Sequence, residues 1–187
     1  MLISPSRPGT LSPLFMKPNI PKLIFAILMS VYFLWIAWDP MQGSFLDNVD
    51  LAIHEAGHIF FRILGEFMGI AGGSLLQLIF PAAFVGYFIY NHQRYSAAIV
   101  ALWLGQSILN VYVYAADAVV MQIVLLGGLT GSEGSFHDWN YLLTETGLLS
   151  STKTVAGIIR LVGTLTIIAG SAAAVYYSFS RASDQNT

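Results

Sequence analysis

The sequence predicts an all-α fold, a polytopic membrane bundle of four to six transmembrane or membrane-embedded helices. Three observations lead there. The 187 residues are 56% hydrophobic and only 10% charged, whereas soluble domains carry about 25% charged residues. Mean hydropathy is +0.67. The apolar residues also gather into long runs, divided by short polar turns, that are long enough to cross a bilayer. The net charge of −2 gives no argument for nucleic acid. With no cysteine, disulfides and thiolate metal sites are excluded, and His and carboxylates are the strong ligands left.

Taken in order, residues 1–21 read as a flexible basic tail rich in proline and serine, without a convincing cleaved leader. Residues 22–179 read as a single membrane-embedded helical domain, and 180–187 as a polar tail. The first span, 22–38, ends on Trp35 and Trp38 as interfacial anchors and is stopped by Asp39-Pro40. Basic residues before it and acidic ones after it predict a cytoplasmic N-terminus in a bacterial-type plasma membrane. Residues 41–69 carry a helix with two polar stripes, Asp47, Asp50, His54 and His58 on one, Glu55, Arg62 and Glu66 on the other. This helix either spans or lies in the interface, and Arg62 is placed to pair with Glu66.

Residues 69–74 read as a glycine-rich break, followed by a span over 75–90 that Gln77 and Pro81 interrupt and that Pro81 is expected to kink. Another span, 95–116, carries Gln106 and Asn110 at helical spacing. Residues 119–129 are apolar but too short to cross, and read as a helix extension or a re-entrant piece. A glycine-rich loop precedes a helix starting near His137-Asp138. The last span, 154–179, is rich in small residues, with Gly163 to Gly170 as its contact face.

Chemistry concentrates in Leu51-Ala52-Ile53-His54-Glu55-Ala56-Gly57-His58. Residues four apart on a helix share a face, so the pattern H-E-x-x-H lets two imidazoles hold one metal ion. Glu55, one step round, stands where a carboxylate can take a proton from the attacking water and return it to a leaving group. Gly57 has little bulk, so a neighbouring helix or a substrate can come close. Two His and a Glu are costly in so apolar a chain unless they are paired, solvated or bound to something.

A catalytic zinc needs a third protein ligand. Glu66, eight residues beyond His58 on one helix, would lie about 12 Å along the axis, too far to share the ion. His92, Asp117, Glu133, His137, Asp138 and Glu145 remain. The His137-Asp138 pair at a helix start is preferred. Two readings compete: Asp138 on the metal with His137 nearby, or His137 on the metal with Asp138 orienting it. Asp117 is the runner-up. Asn110 is a weaker candidate for holding a substrate backbone.

The motif on a membrane-associated helix, the stretch Gly72-Gly73-Ser74 and the distant Asp138 resemble the site-2-protease class of intramembrane zinc metalloproteases. The resemblance implies His54, His58 and Asp138 as ligands of one Zn²⁺ and Glu55 as the base. It departs from that family around the aspartate. Phe136-His137-Asp138-Trp139-Asn140 stands where the family usually has an Asn-Pro-Asp-Gly or Leu-Asp-Gly type motif, and no PDZ-like insertion is present. The expected function is a membrane-embedded zinc-dependent metallopeptidase acting on a membrane protein or peptide. The alternative is a non-catalytic metal-binding membrane protein serving as regulator, assembly factor or transport component. The expected partners are substrate and the lipid bilayer.

Overall fold

The structure is a computed structural model that describes residues 17–180. The expected tails lie almost wholly outside the described residues. The fold is all-α: α1 (Ile20–Trp38), α2 (Leu46–Phe61), α3 (Glu66–Tyr90), α4 (Arg94–Ala116), α5 (Asp138–Glu145) and α6 (Thr152–Tyr177). Four helices are long and apolar enough to cross a membrane: α1, α3, α4, and α6 with the short turn before it. The motif helix α2 is not among them; its 16 residues include Asp47, Asp50, His54, Glu55 and His58.

Each element has a local cause. Asn19 caps α1 by accepting from the Lys22 N–H, Pro21 sits in its first turn, and Asp39-Pro40 ends it. Beyond Lys22, its exposed face is apolar, with Ile24, Phe25, Leu28, Val31 and Leu34 outward, as a helix able to face lipid requires. A two-residue strand pair, Lys17–Pro18 with Phe179–Ser180, joins the two ends of the described chain. Around it, Tyr95 Oη donates to the Lys22 carbonyl at 2.7 Å.

α4 is the central post. α1 runs parallel to it, with Phe33, Ile36 and Ala37 packed on Leu102 and Leu109. α6 runs antiparallel, and Gly163 and Gly170 turn towards α4, where an added Cβ would meet Leu109 and Leu102. α3 is antiparallel to α4 through the turn at Asn91, and α2 folds back along α3. Close approach of small residues is how helices able to cross a membrane pack without relying on the hydrophobic effect.

Several expectations need correction. Residues 69–74 are no break, because α3 runs unbroken through them. Their missing side chains serve packing instead. Residues 119–129 do not extend α4, which ends at Ala116. They turn and return, with a bridge between Val124 and Thr130. Asp117 forces the turn by accepting from the N–H groups of Gln122 and Ile123. Glu66 does not share a helix with His58, since a tight turn ending at Gly65 (φ 103°) separates α2 from α3. The three ion pairs among the described residues all join His to Asp, so Arg62 and Glu66 do not pair.

Gly57 is where α2 meets α3. A Cβ there would overlap the Gly72 carbonyl, and one at Gly73 would come within 2.5 Å of His54 Nε2. Overpacking of this kind costs about 1–3 kcal/mol. Gly57→Ala is expected to lower the unfolding midpoint in detergent. Gly86→Ala, in the same α3 but with open space around it, is expected to be neutral or slightly stabilising. Equal midpoints for the two variants would contradict this packing.

Candidate metal centre

α2 presents His54 and His58 on one face, one turn apart, with ring centroids 4.8 Å from each other. Each ring is fixed through Nδ1. His54 Nδ1 lies 3.1 Å from Gln77 Oε1 on α3. His58 Nδ1 lies 2.9 Å from the Gly69 carbonyl, also on α3. A carbonyl only accepts, so His58 carries its proton on Nδ1 and turns Nε2 inward. The near-contact at Gly57 brings that carbonyl within reach.

The third member comes from 80 residues further along the chain. Asp138 opens α5, capped by His137, whose Nδ1 accepts from the Asn140 N–H at 3.2 Å. Three bonds anchor this first turn. The Asp138 N–H donates to Tyr114 Oη at 3.1 Å. Asn140 Nδ2 donates to the Ala118 carbonyl at 2.8 Å. Trp139 Nε1 donates to Ser74 Oγ at 3.1 Å. The result sets Asp138 Oδ2 at 2.9 Å from His54 Nε2 and 3.2 Å from His58 Nε2. His54 and Asp138 are buried, while the His58 side chain is 25% exposed.

These three residues form a group that could hold a metal ion. The donor set fits one. Ligands about 2.0–2.1 Å from a tetrahedral ion stand about 3.3 Å apart along each edge, close to the two separations above. All four ring nitrogens of the pair also face oxygen, so neutral rings would set Nε2 lone pairs against the carboxylate. A cation at that point, or protons, removes the conflict.

The electrostatics agree. The Asp138 carboxylate hydrogen-bonded to His58 raises its ring pKa to about 9, against the effect of burial. Burial pushes Asp138 up, but the hydrogen bonds from His54 and His58 outweigh it and hold the carboxyl below the usual range. Burial also lowers His137.

The remaining candidates fall elsewhere. His137 and Asp117, the alternative ligands, face each other, with Nε2 at 3.4 Å from Asp117 Oδ2. This places the α5 start beside the α4 end and leaves Asp138 as the residue that joins the His pair. His92 sits in the turn after α3. Glu133 is taken up by Thr130. Glu145 closes α5 at its far end. Glu55 is partly buried and, with His54, His58, Asn110 and Asp138, lines a cleft of about 740 Å³. Asn110 reaches the cluster through Gln77, whose Nε2 donates to Asn110 Oδ1 at 2.8 Å. Gln77 was legible only as a polar interruption in an apolar helix, yet such residues signal bonded partners.

Compared with family models, with curated proteins and with solved structures, the chain matches none.

Binding of a divalent cation must displace the His58 proton. The folded pKa, about 9, lies above the ordinary 6.5. Protonated His58 therefore stabilises the fold fully below 6.5, and that contribution fades as pH rises through about 9. Metal affinity is expected to rise about tenfold per pH unit between pH 7 and 9 and then level off. Zinc titrations against a competing chelator across that range check it; an affinity independent of pH would contradict the assignment.

Proposed function

We propose that the protein is a membrane-embedded, zinc-dependent metallopeptidase that cleaves a peptide bond in a membrane protein or membrane-associated peptide. The observation that carries this reading is convergence: His54 Nε2, His58 Nε2 and Asp138 Oδ2 meet at one point, and Glu55 stands on the same cleft. Two imidazoles and one carboxylate, with no thiolate, suit zinc. Three protein ligands leave a position open, the mark of a catalytic rather than a structural ion. The same residues carry the resemblance to site-2 proteases.

Zinc bound there would supply Lewis acidity, polarising the scissile carbonyl and making water acidic enough to react near neutral pH. The chain's own residues do the rest. Glu55 accepts the proton of the attacking water and returns it to the departing amine nitrogen as the C–N bond breaks. Asn110, on the cleft wall, offers its side-chain amide to the substrate backbone. Leu51, Ile70 and Val113 line the same cleft with apolar surface, which suits an extended apolar segment.

Glu55→Gln tests the reading because it keeps size and removes the base. With purified protein in detergent and a labelled transmembrane peptide as probe, the wild type is expected to cleave and a chelator to stop it. Glu55→Gln is expected to lose about 10²–10⁴-fold in rate while keeping its zinc content. Full activity in Glu55→Gln would overturn the mechanism, and zinc binding without hydrolysis in the wild type would favour a non-catalytic metal protein.

A further inference from the structure

We propose that Gln77 is a positioning residue that sets the tautomer of His54 and, through the same amide, the orientation of Asn110. The inference rests on the metal-centre reading, but its test does not need hydrolysis.

Gln77 is 2% exposed, midway along α3. Its amide has three polar neighbours: His54 Nδ1 at 3.1 Å, Asn110 Oδ1 at 2.8 Å and the Ser107 carbonyl at 3.4 Å. The Ser107 carbonyl decides the arrangement. A backbone carbonyl only accepts, so the Gln77 NH₂ must face it. Turning the amide over would set Oε1 against that carbonyl. The oxygen therefore faces His54, and an amide oxygen also only accepts. His54 must carry a proton on Nδ1 and keep Nε2, the atom 2.9 Å from Asp138, for the ion. A main-chain group of α4 thus dictates, through one side chain of α3, which nitrogen of α2 is the ligand.

The second donor of Gln77 has a parallel effect. It occupies Asn110 Oδ1, which leaves Asn110 Nδ2 as the end available to the cleft that both residues line. Nδ2 is a donor, suited to a backbone carbonyl of a bound peptide. Ligand and substrate-facing amide are set by one residue, and no rotation of Asn110 alone can reverse its polarity without breaking the bond to Gln77. His58 needs no such residue, because the Gly69 carbonyl performs that role directly.

The test uses the full chain in detergent with zinc alone as the probe. Gln77→Met keeps length and apolar packing but offers His54 no oxygen. Gln77→Glu, its buried carboxyl protonated, keeps an oxygen acceptor for His54 and a hydroxyl donor for the Ser107 carbonyl. Zinc affinity by chelator competition is expected to fall about 10–100-fold in Gln77→Met, the usual cost of losing a group that orients a metal-bound imidazole. In Gln77→Glu it is expected to stay within about threefold of wild type. Wild-type affinity in Gln77→Met would overturn the proposal. So would equal losses in both variants, which would mean that only packing had been disturbed. Failure of the peptidase reading shows separately, as zinc bound with normal affinity and no cleavage in the wild type.

Discussion

The arrangement depends on a hydrogen-bonding constraint: both imidazoles of α2 are committed through Nδ1 to acceptors on α3, the Gly69 carbonyl for His58 and Gln77 for His54. When both rings are neutral, each is left with one lone pair on Nε2, and both lone pairs point at the same carboxylate oxygen. Neutral rings facing an anion in a buried site is an unstable state of affairs in a low dielectric. The cluster therefore suits a positive charge, and its two His–Asp separations, 2.9 and 3.2 Å, lie near the edge of a small coordination tetrahedron.

That constraint dictates the packing around it. For a main-chain carbonyl of α3 to reach a ring on α2, the two backbones must nearly touch, and Gly57, Gly72 and Gly73 make that possible. For Asp138 to reach the same point, the short helix α5 must be pinned from both sides. Tyr114, Ala118 and Ser74 do so, while Asp117 and His137 close the turn between. A second polar group lies deeper, where Asp50 accepts from Trp103 Nε1 and Ser107 Oγ and burial lifts its carboxyl to about 6. It links α2 to α4 below the metal centre and helps hold a half-polar helix among apolar ones.

Much of this was legible in the sequence. Low charge and long apolar runs pointed to the all-α fold and to helices able to cross a membrane, and four such helices are present. The spacing of His54 and His58 fixed their common face, since helical periodicity is local. Asp138 was reachable as a helix-opening carboxylate after a glycine-rich loop. What stayed hidden was tertiary. Glycines 69, 72 and 73 look like a chain break in one dimension and become a helix contact surface in three. Residues 119–129 look like a piece of helix because they are apolar, but Asp117 captures two of their N–H groups and bends them away. Gln77 carries no signal of its partners, because those partners come from α2 and α4.

The central claim is that two imidazoles and one carboxylate oxygen bind the same ion. X-ray absorption at the zinc edge, on the full chain purified in detergent and loaded with one equivalent of zinc, addresses it most directly. The account predicts two histidine nitrogens and light oxygen scatterers at about 2.0–2.1 Å, with the imidazole signal halved in His54→Ala. A spectrum without imidazole scattering, or one unchanged by His54→Ala, would contradict it.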